Sequence, residues 1–427
     1  MTAGLRGLRR AWRRLSRRPQ SLAHRNARLL YEDIAWFGIV NAISGTFTTV
    51  FAARLGASNQ LVGLLVSLPA LVMAIGQVAA ARMIESTAQP MRLLSRALLL
   101  NRLGYLAIAL MPFVFIAARA EALVAIVGLM AIPATVGNLA FNAMMADVVP
   151  ADWRAHVVST RYLLFYLTTT VTVLITGRLL DLFPFPGNYQ GAFFVAFIAS
   201  LLSLWAVARV RNPGGRAAQR PGPSKRLSWR TILTDTRFVG FLLTTFAVNV
   251  AVFAPSALYT LYRVRTLHAT DTWIGFLGTI ETGVGIFASY LWGREAARHG
   301  HRRLLLVAML GLTLYPLLMA LSRRVEPLLF VSLSGGLFAP AYNIAIFDLL
   351  LESCPQEGRP SYMAAYNLLL NLATFAAPMA GTALADWLDI RTALLLTAAL
   401  RFGSALAVAW WARSQGRLAP ALRPGAC

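Results

Sequence analysis

Residues Phe141–Arg154 read FNAMMADVVPADWR; they end one long apolar run and lead into the next. The stretch has a second copy, YNIAIFDLLLESCPQEGR, at Tyr342–Arg359. Asn142 stands five residues before Asp147, and Asn343 stands five before Asp348, at a common offset of 201. Pro150 and Arg154 recur as Pro355 and Arg359 at offset 205, after four extra residues in the second copy. The chain therefore contains the same helix end twice, once in each half. An internal repeat describes how the whole chain is built, so it outranks any local reading.

The repeat extends outward from there. Gly63 matches Gly275, and Ala81-Arg82 matches Gly293-Arg294, both at offset 212. Gly177 matches Gly381 at offset 204, each followed within five residues by an acid, Asp181 and Asp386. Around these anchors lie twelve apolar runs, at 33–53, 61–81, 97–117, 122–146, 157–177, 190–208, 238–261, 273–292, 304–321, 327–350, 362–384 and 392–411. Each approaches the length that carries a helix across a bilayer. Two six-span copies running the same way are parallel repeats about an axis along the membrane normal. The expected fold is all-α and membrane-embedded, with twelve transmembrane helices in two six-helix bundles. The expected organisation is a tail over 1–29, a bundle over 30–208, a linker over 209–237, a second bundle over 238–412 and a tail over 413–427.

Composition agrees. Of the 427 residues 57% are hydrophobic and 13% charged, where a soluble domain carries about 25% charged residues. The net charge of +23 sits in tails and short loops beside apolar runs. That placement implies anionic lipid headgroups at the cytoplasmic face as the partner, not nucleic acid. With the N-terminus inside, the inner segments hold 29 Arg and Lys and the outer segments 8. This bias predicts cytoplasmic termini and a cytoplasmic linker, Arg209–Arg230, in the inner (plasma) membrane. Leu5, Leu8, Trp12 and Leu15 put one apolar stripe on the Arg-rich tail. A surface-lying helix and a disordered tail that only sets topology both fit it.

Enzymatic motifs are missing. The sequence has no Gly-x-Ser-x-Gly, no phosphate loop and no His-Glu-x-x-His; its one lysine, Lys225, lies in the linker. Cys354 and Cys427 form neither a disulfide framework nor a metal spacing. No enzyme activity, cofactor or metal is expected. Any uphill work must draw on a gradient.

The loop after the second run of each half resembles the signature Gly-x-x-x-Asp-Arg-x-Gly-Arg-Arg/Lys of the major facilitator superfamily. Gly293, Arg298, Gly300, Arg302 and Arg303 fit it, with Ala297 in place of the acid. In the first half Ala81 and Glu85 fit, Ser86 replaces the Arg, and Gln89-Pro90-Met91-Arg92 replaces the rest. The resemblance covers the chain after residue 30. It implies a central cavity lined by spans 1, 4, 7 and 10, helped by 2, 5, 8 and 11. It also implies a cytoplasmic gate, to which Glu85, Asp147, Arg154, Arg298, Arg302, Asp348 and Arg359 are assigned. Plain helix-end capping is the alternative for these residues.

Charges within a span are costly, so each is informative. Glu281 falls mid-span and is the first candidate for coupling to protons; the alternative is a structural carboxylate paired with Arg401 or a backbone group. Asp33 is the second coupling candidate, although Glu32, Asp33 and Arg102 also read as interfacial by position. Asn41, Asn138, Asn142, Tyr166, Asn249, Tyr259, Glu281, Tyr342, Asn343 and Asn367 are the candidates for the substrate cavity. The alternative for each is a hydrogen bond between helices. The function that follows is secondary active transport of a small-molecule substrate by alternating access, performed by a monomer. The competing class is a transport-inactive receptor or scaffold of the same fold.

Overall fold

With no water in a bilayer core, each apolar run satisfies its own peptide groups only as a helix. The computed structural model describes residues 22–87, 89–115, 117–211, 229–355 and 358–418. Six helices form the first half: α1 Leu22–Arg54, α2 Asn59–Ser86, α3 Pro90–Val114, α4 Arg119–Val148, α5 Ala151–Leu182 and α6 Gly187–Ala208. In the second half α7 is assembled from Thr236–Phe253, Ser256–Leu261 and a π-helical turn, Tyr262–Thr266. It is followed by α8 Asp271–His299, α9 His301–Leu321, α10 Leu328–Ser353, α11 Arg359–Trp387 and α12 Ile390–Leu418. Twelve helices among the described residues are long and apolar enough to cross a membrane. The stripe at Leu5–Leu15 and most of the linker lie outside the described residues. A short helix, Trp229–Thr234, leads into α7.

Local chemistry sets the helix starts. Ser58 Oγ accepts from Leu61 N at 3.2 Å, and Thr270 Oγ1 from Trp273 N at 3.3 Å, capping α2 and α8 at equivalent places of the repeat. Asp235 caps α7 in the same way, 3.1 Å from Phe238 N. Two boundaries depart from expectation, one of them at α12, which runs to Leu418 inside the segment read as the C-terminal tail. α1 begins at Leu22, inside the segment read as a tail. Asn26 holds it there, donating to Arg211 O at 2.8 Å and accepting from Arg211 N at 3.1 Å. Leu29 and Leu30 are buried beside it.

Helices α2 and α11 pack across the two halves, as do α5 and α8. These are the same two pairs once the repeat exchanges one half for the other. The end of the bundle that carries α1's start and α6's finish is here the proximal end; the other is the distal end. The apolar core differs between them. One cluster of buried side chains spans both halves, joining Phe51, Val62, Val173 and Tyr189 to Leu258, Tyr262, Ile274 and Leu394. Two further clusters each stay within one half: Leu30, Leu94, Met144 and Val157 in the first, Phe238, Leu305, Leu349 and Trp411 in the second. The halves share a core distally and keep separate cores proximally.

Candidate functional site

Polar contacts between the halves repeat that asymmetry. Among the described residues, every hydrogen bond joining opposite halves lies distal to the bundle centre. Arg54 at the end of α1 donates to Asp271 Oδ1 at 2.9 Å and to Ala269 O at 3.1 Å. Arg265 in α7 donates to Asn59 Oδ1 at 2.6 Å and to Ala57 O. Asp181 at the end of α5 accepts from Asp271 N at 2.9 Å and Thr272 N at 2.8 Å, setting a carboxylate on the positive start of α8. Asp386 at the end of α11 accepts from Asn59 Nδ2 at 2.7 Å. Thr49 and Thr260 meet at 3.4 Å below this layer.

Glycine permits the close approach. A Cβ on Gly177 would stand 2.6 Å from Asp271 O, and one on Gly275 would stand 2.9 Å from Val173 O. The α5–α8 seal therefore has no room for a side chain on either residue.

Proximal to the seal lies a cavity of about 670 Å³. It takes Asn41 and Thr46 from α1, Tyr166, Thr169 and Thr170 from α5, Thr279, Glu281 and Thr282 from α8, and Pro340 and Asn343 from α10. Hydroxyls and amides alternate there with apolar surface from Val173, Ile286, Ala339 and Ile344. Glu281 is the one formally charged group in the lining. Toward the proximal end no hydrogen bond or ion pair joins described residues of the two halves. The cavity is sealed distally, and the corresponding proximal seal is absent among the described residues.

Behind Glu281 runs a chain of polar groups. Tyr315 Oη donates to Glu281 Oε2 at 3.1 Å and accepts from Arg263 Nη2 at 2.6 Å. Tyr259 packs its ring against Tyr315 with centroids 4.6 Å apart. Arg401 does not pair with Glu281. Its guanidinium donates to Ala251 O at 3.0 Å, Leu312 O at 2.8 Å and Val252 O at 2.7 Å, tying α12 to α7 and α9.

Four of the ten cavity candidates line the cavity: Asn41, Tyr166, Glu281 and Asn343. Tyr259 stands behind it. Asn249 and Tyr342 are bonded to each other inside the second half, Tyr342 Oη to Asn249 Oδ1 at 2.6 Å, and Asn249 also donates to Thr245 O at 2.7 Å. Asn138, Asn142 and Asn367 are exposed and outside the lining. The lining thus comes from α1, α5, α8 and α10; Asn249 of α7 turns to partners in its own half instead.

Asp33 and Arg102 turn into the protein. Both are buried, at 5% and 4% exposure. Asp33 pairs with Arg161 at 3.1 Å and accepts from Ser203 Oγ at 2.7 Å. Arg102 donates to Ser203 Oγ at 2.7 Å and to Ser200 O. This network joins α1, α3, α5 and α6 away from the cavity lining. Glu32, by contrast, is half-exposed and pairs with Arg28 one turn back.

The gate residues stay within their own halves wherever their bonds are described. Asp348 faces His301 at 3.2 Å. Arg359 donates to Leu351 O at 3.0 Å, and Arg154 reaches Val149 O at 3.5 Å. Arg302 lies over the Trp411 ring at 5.5 Å. Glu85, Asp147 and Arg298 are exposed at proximal helix ends.

Sequence reasoning did not single out the distal arginines. Their signal was the repeat itself: Ala57 and Ala269, Asn59 and Asp271, and Gly63 and Gly275 share offset 212, and Arg54 and Arg265 stand at 211.

The family described as Major Facilitator Superfamily matches this chain over residues 34–270 and 256–425. A protein named "Multi-drug resistance efflux pump PmrA homolog", from Lactococcus lactis subsp. lactis (strain IL1403), is 23% identical over 261 residues, 60% of this chain and 63% of that protein. "Multidrug resistance protein MdtG" from Klebsiella pneumoniae (strain 342) is 29% identical over 182 residues, 41% of this chain and 42% of that protein. Both matches cover less than two thirds of the relative's length. Among solved structures, nucleoside transporter NupG superposes with a TM-score of 0.66 at 10% identity, covering 92% of this chain and 99% of that one. A bacterial homolog to the human lysosomal transporter Spinster, in an inward-facing and unoccupied conformation, gives 0.73 at 12% identity, covering 95% of this chain and 100% of that one. At these identities the likeness is one of fold.

Proposed function

This chain belongs to the Major Facilitator Superfamily, and on that premise we propose that it is a secondary transporter exporting a small amphipathic organic solute by alternating access. The observation that carries this reading is the cavity: shared by both halves and sealed distally by their joint core, while the described proximal clusters each stay within one half. A site exposed to one side at a time is what alternating access requires. The arrangement corresponds to the inward-open member of the cycle, with both termini and the linker cytoplasmic. The 29:8 charge bias supports that orientation. The protein works as a monomer in the cell membrane, its Arg-rich proximal segments against anionic headgroups. The efflux names of the two curated relatives support the direction.

One carboxylate among hydroxyls, amides and apolar patches suits a solute that carries a positive charge. Glu281 then serves two ligands in turn. A cationic solute loads from the cytoplasmic side and a proton from the distal side, and each displaces the other. A carboxylate that passes from a wet to a closed cavity favours its neutral form, so alternating access itself moves the proton. Asp33, held by Arg161 and Ser203 outside the cavity, takes no part in this exchange. Asp147, Arg154, Asp348 and Arg359, with Glu85, Arg298 and Arg302, close the cytoplasmic side when the distal side opens.

The test is transport by purified protein in proteoliposomes, using fluorescent lipophilic cations and neutral analogues of similar size. Accumulation of the cations driven by an imposed pH gradient is expected. Proteoliposomes that accumulate none of these probes under any gradient would favour the receptor or scaffold reading.

A further inference from the structure

The last turn of α7 differs from its counterpart in α1 by one residue. At the end of α1, Leu55 N bonds Phe51 O at 2.9 Å and Ala57 N bonds Ala52 O at 3.1 Å. At the end of α7, Leu267 N bonds Tyr262 O at 3.0 Å and Ala269 N bonds Arg263 O at 2.9 Å. Phe51 and Tyr262 correspond at offset 211, Leu55 and Leu267 at 212, so Thr266 is an extra residue. It turns an α-type end into the π-helical turn Tyr262–Thr266. Such one-residue insertions are frequent at functional sites.

The side chains that lead into the extra residue are informative. Where α1 has Ala52, α7 has Arg263, which reaches Glu281 through the Tyr315 hydroxyl. Two residues on, Arg265 grips Asn59 and Ala57 of the other half. The start of the turn is anchored, because Tyr262 Oη donates to Ser322 O at 2.8 Å. Arg263 Nε is buried and makes no hydrogen bond to the protein. Its donors are therefore only partly used in this state.

We propose that Arg263 and the π-helical turn form a relay that transmits the charge on the cavity acid Glu281 to the distal latch at Arg265; this rests on the alternating-access reading above. With Glu281 ionised, Tyr315 donates to it and accepts from Arg263, which holds the turn in its π form and Arg265 across the interface. Neutralising Glu281, by a proton or a cationic solute, releases Tyr315 and then Arg263. The turn rewinds toward α-helical register, which rotates the side chains within it about the helix axis. Arg265 is carried off Ala57 and Asn59. α1 has neither the arginine nor the extra residue, so Arg54 has no such input and the coupling is one-sided. Arg263 is a positioning residue: it acts through Tyr315 and the helix turn and does not line the cavity.

The experiment measures the distal gap by electron–electron resonance between spin labels at Phe183→Cys and Trp387→Cys, two exposed distal positions in opposite halves. Cys354 and Cys427 are replaced by Ser in the full chain. Glu281→Gln is expected to raise the ratio of open to closed distal distances on the order of tenfold, the scale of one lost hydrogen bond to a charged group. Adding Arg263→Ala is expected to abolish that response, and Arg263→Lys, which keeps a donor for Tyr315, to restore part of it. If Arg263→Ala does not fold, Tyr315→Phe carries the same test by removing only the bridging hydroxyl. A distribution that Glu281→Gln leaves unmoved overturns the relay together with the coupling role of Glu281. A shift that persists unchanged in Arg263→Ala or Tyr315→Phe overturns the relay alone.

Discussion

Arg54 and Arg265 make the same bond in opposite directions. Each reaches out of its own half to the backbone carbonyl of an alanine in the other, Ala269 for Arg54 and Ala57 for Arg265. The second acceptor differs: Arg54 faces the carboxylate of Asp271, buried to 4% side-chain exposure, and Arg265 faces the neutral amide of Asn59. The two truncations should therefore be unequal. Arg265→Ala removes bonds to neutral acceptors, a loss of about 1–3 kcal/mol to the closed distal end. Arg54→Ala leaves a buried charge without its partner, about 3–5 kcal/mol. Labelling of Thr49→Cys from the distal side should speed up in both variants, more in Arg54→Ala. Adding Asp271→Asn to Arg54→Ala should recover part of the difference. Equal labelling rates in the two single variants would show that Asp271 draws its stability from Tyr189, which donates to it at 2.8 Å, and not from Arg54.

The seal below these arginines depends on a missing side chain. A methyl on Gly177 would approach the backbone oxygen of Asp271, an atom that cannot rotate away. Gly177→Ala should push α8 from α5 and disfavour the closed distal state while leaving the open one intact. Spin-label distances across the distal end should lengthen, and the purified protein should remain monodisperse. Gly191→Ala, where no atom lies within 4 Å of the added carbon, is the matched control and should change neither.

The architecture was legible because membrane helices and a parallel repeat both leave plain traces in sequence. The paired glycines Gly63 with Gly275 and Gly177 with Gly381 pointed to places that the structure uses for close approach: Gly63 faces Thr382, and Gly381 faces Ala254 O. The distal arginines stand at nearly the same offset, yet a tally of loop charges treats them as topology signals. Burial of Asp33 and Arg102 was not legible, because both stand near the ends of apolar runs. α1 in fact extends back to Leu22, which sets Asp33 three turns inside a helix packed against α5 and α6. Asn249 shows the other limit. Periodicity places a polar residue on a helix, but whether it faces the cavity or Tyr342 depends on a neighbour far along the chain.

The Asp33 network yields a separable prediction. Its partners, Arg161 and Ser203, come from α5 and α6, and none of the three lines the cavity. Asp33→Ala should cost about 3–5 kcal/mol of stability, because it strands a largely buried guanidinium. Thermal unfolding of the detergent-solubilised protein measures that loss. The pH dependence of transport by the surviving folded fraction should match the parent. A changed pH profile with unchanged unfolding temperature would move the coupling site to Asp33.

At the proximal end Asp348 is occupied by His301 in its own half, with Glu352 on the other imidazole nitrogen at 3.5 Å. The gate reading requires Asp348 to exchange that contact for basic groups across the cleft when the distal side opens. Asp147→Asn and Asp348→Asn should each favour the proximally open state by about 1 kcal/mol, roughly fivefold, the scale of a partly exposed ion pair. Cysteine labelling at the proximal cleft reads this with little background from Cys354. That thiol is buried, burial pushes its pKa up to about 11, and at neutral pH it holds very little reactive thiolate. Labelling rates that match the parent in both variants would leave these acids as plain helix ends.

The decisive residue for energy coupling is Glu281. It is the one charged group in the lining, and Arg401, which sequence alone allowed as a fixed partner, is committed to three backbone carbonyls. Tyr315 is a neutral donor, and the Arg263 guanidinium behind it is held one hydroxyl away from the carboxylate. Glu281→Gln keeps the shape, replaces the charged acceptor of Tyr315 with a weaker neutral one, and fixes the neutral form. It should abolish accumulation against a gradient and spare exchange of a neutral probe. Exchange should also lose its dependence on pH, because the one acid of the lining can no longer change its protonation state. Cationic probes should lose affinity relative to the parent, on the order of tenfold, while neutral ones of equal size keep theirs, because the charge that attracts the cations is gone. The measurements are counterflow in proteoliposomes at several pH values and equilibrium binding of a matched cationic and neutral pair. If Glu281→Gln still concentrates a cationic probe when a proton gradient is imposed, the acid is structural, and the proton must be carried by a group outside the cavity.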